Sequence, residues 1–353
     1  MNIEKTQNLS EKDYRKLDKL SYSALKDYCK SRRTFVKKYI LKEKIEDSES
    51  EYLRLGDLTD FLITRPNDNI DDKFAVISVN RGSGQVWDLE ENLWKVTLKN
   101  LDSENNCTKE FIDIFTEAFN LTKYDFSGNE IAFKGKTLEK ALELFVGSNA
   151  EQLYKERRES FGKTVVSMNE LDLANKLKDE VFNTPWTNRL LSNGNPNEEL
   201  FLQVTHEYEV DGLEFKSMFD VIRVSEKNKT LKVWDIKTTY DSELFEYNFL
   251  KNYYYIQAGL YELGVIDWAT KNGFDGYVVH FQGFIVLDTS FNNKPVIYEI
   301  PSTDKYFNGF DIRDRHYDGI DEIIAKIKYH INTSEWKLSP EACENNGVIK
   351  LTI

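Results

Sequence analysis

Three β-forming runs follow one another between Leu200 and Thr238, separated by Asp211-Gly212 and by the polar 225–229 segment. Asp-Gly between alternating runs is a strong hairpin signal, because its residues accept the positive φ of a tight turn. The SEKNK segment supplies a second turn. Strands are therefore expected at 200–210, 213–224 and 230–238. Strand side chains alternate between faces, so Asp235 and Lys237 point one way while Trp234 and Ile236 point the other. Asp220 lies on the neighbouring strand. One acid is thus set beside an acid and an amine.

The rest of the chain reads largely as helix around that sheet. Ser21 stands where a cap should, ahead of Leu25, Tyr28, Phe35 and Tyr39 at core-covering spacings. Residues 51–64 read as a second helix, closed by Arg65-Pro66. Phe74–Ile77 reads as a short strand. The 80–165 region is mostly helical in pattern, with loops at 104–109 and 147–150. Helix returns at 167–192 and is followed by a loop, SNGNPNEE. A helix at 242–263 carries Gln257 and Tyr261 four apart on one face. A strand at 276–287 and a helix at 318–332 complete the reading. This order predicts a mixed α/β fold, a central mixed sheet flanked by helices. Residues 1–20 are expected as a mobile or loosely docked arm. Residues 21–353 are expected as one domain, with a helical elaboration at about 80–165 and the main sheet at about 198–300.

Bulk properties exclude several classes. The 353 residues are ample for a buried core, and 40% hydrophobic and 13% aromatic content suit a globular protein. No stretch approaches the roughly twenty apolar residues of a membrane span. The polar start lacks the apolar core of a signal peptide, so a cytoplasmic location is expected. Cys29, Cys107 and Cys343 form no C-x-x-C pair, which argues against a disulfide framework, a zinc site or an iron–sulfur site. The net charge of −13 weighs against a protein that coats nucleic acid. It still allows an enzyme with a local basic groove, since a metal ion brings positive charge to its own site. The basic stretch Lys30, Arg32, Arg33, Lys37, Lys38, Lys42 and Lys44 reads equally well as a solvated helix face. His206 reads as a half-buried strand residue rather than a ligand. Tyr253, Tyr254 and Tyr255 read as core packing ahead of base stacking. No P-loop or G-x-G-x-x-G is present.

Two carboxylates and a lysine on adjoining strands are the minimal equipment for cutting phosphodiesters with Mg²⁺. That ion is hard, prefers oxygen ligands and keeps several waters. Asp220 and Asp235 could hold it, with the Ile236 carbonyl as a further oxygen. Bound there, it would polarise the phosphate and acidify a water. Lys237 could orient that water, assist its deprotonation or stabilise charge on the phosphorane. The Asp-x-Lys triplet alone is weak, because Asp71-Asp72-Lys73 repeats it in a polar segment. The bland alternative for Asp235 and Lys237 is an ordinary ion pair. The preceding strand aspartate and the following helix with Gln257 and Tyr261 favour chemistry.

The same residues resemble the RecE-type (exodeoxyribonuclease VIII-like) branch of the PD-(D/E)XK nucleases carried by phages and prophages. The likeness runs from about Ser21 onward. It includes SYSALKDYCKSRRTFVKKY, GDLTDFLITRP with DKFAV, the helix GKTVVSMNELDLANKLKDEVFNTPWTNRLL, the core EELFLQVTHEYEVDGLEFKSMFDVI, VWDIKTT and YYYIQAGLYELG, and the closing INTSEW. The 80–160 region is least matched. The resemblance implies a restriction-endonuclease-like core, Asp220 and Asp235 as metal ligands, and Lys237 as the catalytic lysine. Gln257 and Tyr261 would be its Gln-x-x-x-Tyr motif beside the active site. Glu199, or its neighbour Glu198, falls where the family has an acid leading into the first strand. Asp60, four residues after Gly56, replaces the usual histidine and would ligate metal from a shorter side chain. Met218-Phe219 replaces the usual Arg-Pro.

By the same resemblance the activity would be a Mg²⁺-dependent exonuclease, with Mn²⁺ able to substitute. It would degrade one strand of linear duplex DNA, 5′ to 3′, leaving tails for recombination. The implied partners are double-stranded DNA ends, a single-strand annealing protein and further copies of the chain in a trimeric or tetrameric ring, with no membrane. Two other readings share the residues: a structure-specific endonuclease on the same core, and a catalytically silent DNA-binding or assembly protein.

Overall fold

The computed structural model describes residues 9–43, 51–79, 81–102, 106–193, 197–313 and 315–349. The chain divides into two compact units. One comprises residues 1–49, 63–65 and 176–353, the other 50–62 and 66–175. The start of the expected arm, parts of two expected loops and Lys44 lie outside the described residues.

The first unit opens with helices α1 (Glu11–Lys16), α2 (Tyr22–Lys30) and α3 (Arg32–Phe35). Ser10 caps α1, its hydroxyl accepting the Asp13 N–H. Residues 9–20, expected to be loosely held, are docked. Tyr14 is buried. The Lys216 ammonium donates to the carbonyls of Tyr14 and Leu17 at 3.1 and 2.7 Å. The Leu20 N–H donates to the Glu214 carbonyl, and the Lys216 N–H to the Leu20 carbonyl. The arm is held because it satisfies strand backbone that would otherwise lack partners. Part of the basic stretch is neutralised, with Lys38 on Asp27, Lys37 on Glu43 and Lys42 on Asp18.

The second unit contains most of α4 (Glu51–Thr64), β1 (Phe74–Ile77), α5 (Gln85–Lys99), α6 (Phe111–Lys123), α7 (Leu138–Phe145), α8 (Asn149–Glu159) and β2 (Thr164–Ser167). β1 and β2 pair in parallel. One core gathers Leu89, Leu93, Phe115, Phe119 and Phe133. A second gathers Leu58, Phe61, Phe74 and Val166. The 80–165 region is thus helical, as its apolar spacing predicts. Lys73 of the decoy triplet is spent on Asp57 at 2.7 Å.

α9 (Met168–Asn183) leads back to the first unit, followed by α10 (Pro185–Leu191). The main sheet follows, ordered β3 (Glu198–Val210), β4 (Leu213–Ser225), β5 (Thr230–Thr239), β6 (Val278–Asp288) and β7 (Val296–Glu299). β5 and β6 are parallel and the other neighbours antiparallel. The crossover between β5 and β6 carries α11 (Phe245–Lys251) and α12 (Tyr254–Lys271), where one helix was expected. Tyr253, at φ 60°, separates them. The chain continues through α13 (Lys305–Asn308), the small β8 (Phe310–Ile312) and β9 (Arg315–Tyr317) hairpin, α14 (Ile320–Thr333) and α15 (Pro340–Glu344). The fold is therefore mixed α/β, with a central mixed sheet flanked by helices, as expected. No helix among the described residues is long and apolar enough to cross a membrane.

Both faces of the sheet are covered. Phe219, Ile222, Val224, Val233 and Phe284 pack with Leu260 and Val265 of α12 and with Ile323 of α14. Val221, Trp234, Ile236 and Ile285 pack on the other face with Leu177, Val181 and Leu191. The register of β5 on β6 slips between Val233 and Trp234, so Phe281 and Phe284 serve the same face. Gly283 sits at this bulge with φ 151°, and a Cβ there would lie 2.0 Å from the Tyr298 carbonyl oxygen.

Candidate active site

β4 and β5 stay paired only from Ser225–Thr230 to Val221–Trp234. Beyond that point they separate, and the Leu20 backbone lies against the freed edge of β4. The separation leaves the Ile236 N–H without a strand partner, and a buried backbone donor needs an acceptor. Asp220 supplies it, its Oδ2 accepting from Ile236 N at 2.8 Å. The same fork brings Asp220 to the backbone that joins Asp235 to Lys237.

Asp235 is buried and doubly held. Its Oδ1 accepts from the Gln257 side-chain amide at 2.7 Å. Its Oδ2 lies 2.5 Å from the Lys237 ammonium. Lys237 in turn rests over the Tyr254 ring, 5.0 Å from the centroid. Burial pulls the Lys237 ammonium down, but Asp235, then Tyr254 and Asp220, more than offset it and hold the group above its ordinary range. With Asp235 and Asp220 beside it, and as long as no ion sits on them, Lys237 is held as a cation, which suits charge stabilisation and orientation.

α12 sets Gln257 and Tyr261 toward the sheet, as their spacing predicts. Tyr261 packs edge-on against Phe219 at 5.1 Å. Its phenol is pushed well up by burial, then by the charges of Asp235 and Asp220. It thus lies within the field of both carboxylates while serving as packing behind them. α12 comes this close because of Gly264, where a Cβ would fall 2.8 Å from Tyr208 and 2.9 Å from Phe219.

Glu199 and Glu198 do not join this cluster. Glu199 is exposed and pairs with Val224. That is four residues along β4 from Asp220, about 13 Å at strand rise, too far to share an ion. Glu198 is spent on Arg223 at 2.7 Å. Both acids were placed by likeness to a leading segment, and the residue that faces Asp220 is Gln203. Its side-chain amide donates to Asp220 Oδ1 at 3.2 Å. Gln203 has φ 49°, and the strand turns there: Leu202 serves one core and Val204 the other. Asp60 lies half-buried on α4 in the second unit. His206 is buried and bonded to Asp267 at 2.6 Å, consistent with a structural histidine.

Arg65 is a residue the sequence offered only as a helix terminator. Its guanidinium reaches Gln203 Oε1 at 3.2 Å and Met218 Sδ at 3.7 Å. An arginine thus stands beside Met218 of β4, arriving from the end of another element. The signal for Gln203 was present: a polar residue interrupting an apolar run two residues before Thr205.

The donor set suits a hard divalent cation. Asp220, Asp235 and the Ile236 backbone offer only oxygen. Gln257 Oε1 is buried beside Asp235 and meets no hydrogen-bond donor among the described residues. A cation that retains waters would supply one. Gln257→Ala should lower activity about 10–100-fold by releasing Asp235, the size expected when the partner of a metal ligand is lost. Equal turnover in the variant and the parent would show that Asp235 needs no such support.

No family model matches the sequence, and no curated protein matches it. Among solved structures, the chain is similar to a protein from Eubacterium rectale described as "Putative exonuclease", at 11% identity and a TM-score of 0.45, covering 98% of this chain and 96% of that one.

Proposed function

We propose that the chain is a metal-dependent deoxyribonuclease acting on the ends of linear duplex DNA. The observation that carries this reading is the joining of Asp220, Asp235, Lys237 and Gln257 at the fork between β4 and β5. An ordinary ion pair would need neither the second aspartate on the same backbone nor the buried amide that fixes the first. The sequence likeness to RecE-type exonucleases supports the finer reading: 5′-to-3′ degradation of one strand, leaving tails for an annealing partner.

Asp220, Asp235 and the Ile236 carbonyl would hold Mg²⁺ or Mn²⁺. When bound, the ion would polarise the scissile phosphate and lower the pKa of a water. The protein's own groups do the rest. Gln257 fixes the rotamer of Asp235. The Ile236 N–H fixes Asp220. Lys237 keeps its proton and places positive charge where the phosphorane gathers negative charge, within a site too buried for water to screen it fully.

Duplex DNA labelled separately at each end tests the proposal, with Mg²⁺ and with chelator. Release of 5′-terminal nucleotides from linear duplex, sparing closed circles and stopped by chelator, is the expected result. Cleavage of closed circles would assign an endonuclease instead. No cleavage, together with no Mn²⁺ binding that Asp235→Asn removes, would assign a silent scaffold.

A further inference from the structure

We propose that Lys26 is a second substrate-contacting cation, taking a phosphate of the same strand whose phosphodiester is cut beside Lys237. This rests on the nuclease reading above and adds a residue to it.

Lys26 and Tyr22 are four apart on α2 and so share a face. The Lys26 ammonium lies 5.6 Å from the centroid of the Tyr22 ring. Tyr22 meets Tyr254 with centroids 6.3 Å apart, and Tyr254 carries Lys237. Two ammonium groups thus rest on two touching tyrosines. Tyr22 is fixed there by its hydroxyl, which donates to the Asn252 carbonyl at 2.6 Å. The platform is therefore rigid, and one of its two cations belongs to the candidate active site.

The two lysines differ in their partners. Lys237 has Asp235. Lys26 has no carboxylate within ion-pairing distance among the described residues, although it is half-buried. The adjacent Asp27 is engaged by Lys38 at 3.3 Å and by the Tyr39 hydroxyl at 3.2 Å. Lys19 is matched to Glu207 and Glu214 and Lys37 to Glu43, while Lys30 stands exposed to solvent, so Lys26 is the half-buried one. A half-buried cation without a counter-ion is costly unless an anion arrives. The groups that act on Lys26 point the same way. Burial first, then Lys30 and Lys237, lower its ammonium to about 8 against the opposing Asp27. A nucleic-acid strand reaching Lys237 would bring phosphate charge to this repelled pair.

Binding of a short fluorescent DNA duplex, measured in chelator so that nothing is cut, tests the proposal across a series of salt concentrations. Lys26→Gln should weaken binding about tenfold at low salt and make the slope of log affinity against log salt shallower by about 0.9, the value of one phosphate contact. Lys26→Arg should restore both, which a role in folding alone would not explain, and binding by the parent should fall as pH rises through about 8. In Mg²⁺, Lys26→Gln should raise KM and leave kcat within about twofold, the pattern of lost uniform binding. Equal affinity and equal salt slope in Lys26→Gln and the parent overturn the proposal, as does a parent that binds no duplex. The nuclease reading is judged separately. Lys26-dependent binding without cleavage refutes that reading and keeps Lys26, whereas cleavage indifferent to Lys26 does the reverse.

Discussion

Under the proposed nuclease function, Lys237→Ala should lower the rate of phosphodiester cleavage about 10²–10³-fold, the loss of one well-placed electrostatic group worth about 3–4 kcal/mol. The expectation rests on the Lys237 ammonium lying 2.5 Å from Asp235 and above the Tyr254 ring. Lys237→Arg should not recover the rate, because a guanidinium is planar and longer and cannot stand in for a compact charge. Asp235→Asn should be at least as damaging, since it removes a proposed metal ligand and the partner of Lys237 together. Steady-state cleavage of end-labelled duplex, with the unfolding midpoint measured in parallel, separates lost chemistry from lost fold. Full cleavage by Lys237→Ala would remove this lysine from the mechanism. The pH behaviour follows from the same geometry. The folded-state pKa of Lys237 is raised, so its stabilising contribution is complete below the unfolded value of about 10.4 and fades only as pH rises through the folded one.

Gly283→Ala destabilises the protein by about 2–4 kcal/mol, from backbone collision and overpacking. Its added carbon would stand 2.0 Å from the Tyr298 carbonyl oxygen, in backbone that has no side chain's freedom to move aside. The position also controls register. The slip between Val233 and Trp234 is what lets β6 present Phe281 and Phe284 to the same side. Denaturant unfolding of the variant checks the prediction, and a midpoint equal to the parent's would show that β6 and β7 can part there without cost.

The sheet was legible in the sequence because its turns are short and chemically explicit. Asp211-Gly212 produced the β3–β4 hairpin at the expected place, with Val210 paired to Leu213. The helices of the second unit were legible from apolar spacing. Of the three- and four-residue strands only the all-apolar Phe74–Ile77 was read; β2, β7, β8 and β9 were not, because so few residues of mixed character carry no period. The break at Tyr253 was hidden by an unbroken aromatic run, since a left-handed tyrosine has no compositional mark.

Within the site, Asp220, Asp235, Lys237 and Gln257 could be read because alternation and helical spacing hold locally. Tyr254 emerged as the floor beneath Lys237 rather than as part of a uniform tyrosine core. Gln203 was marked only by its interruption of an apolar run, and Arg65 by nothing: an arginine immediately past the end of α4 carries no pattern that points to β3. Glu199 failed for the opposite reason. Proximity in sequence to the first strand says nothing about distance along it, and the antiparallel register carries that residue away from Asp220.

The bond from the Ile236 N–H to Asp220 ties architecture and chemistry to a single carboxylate. Asparagine at 220 could keep the bond and lose the charge, and alanine would forfeit both. Any lineage descended from such a chain would meet two independent penalties at this position. Where only the bond is needed asparagine serves as well, so an acid kept at 220 would speak for a need for charge, whereas a mere carbonyl acceptor there would speak for architecture alone.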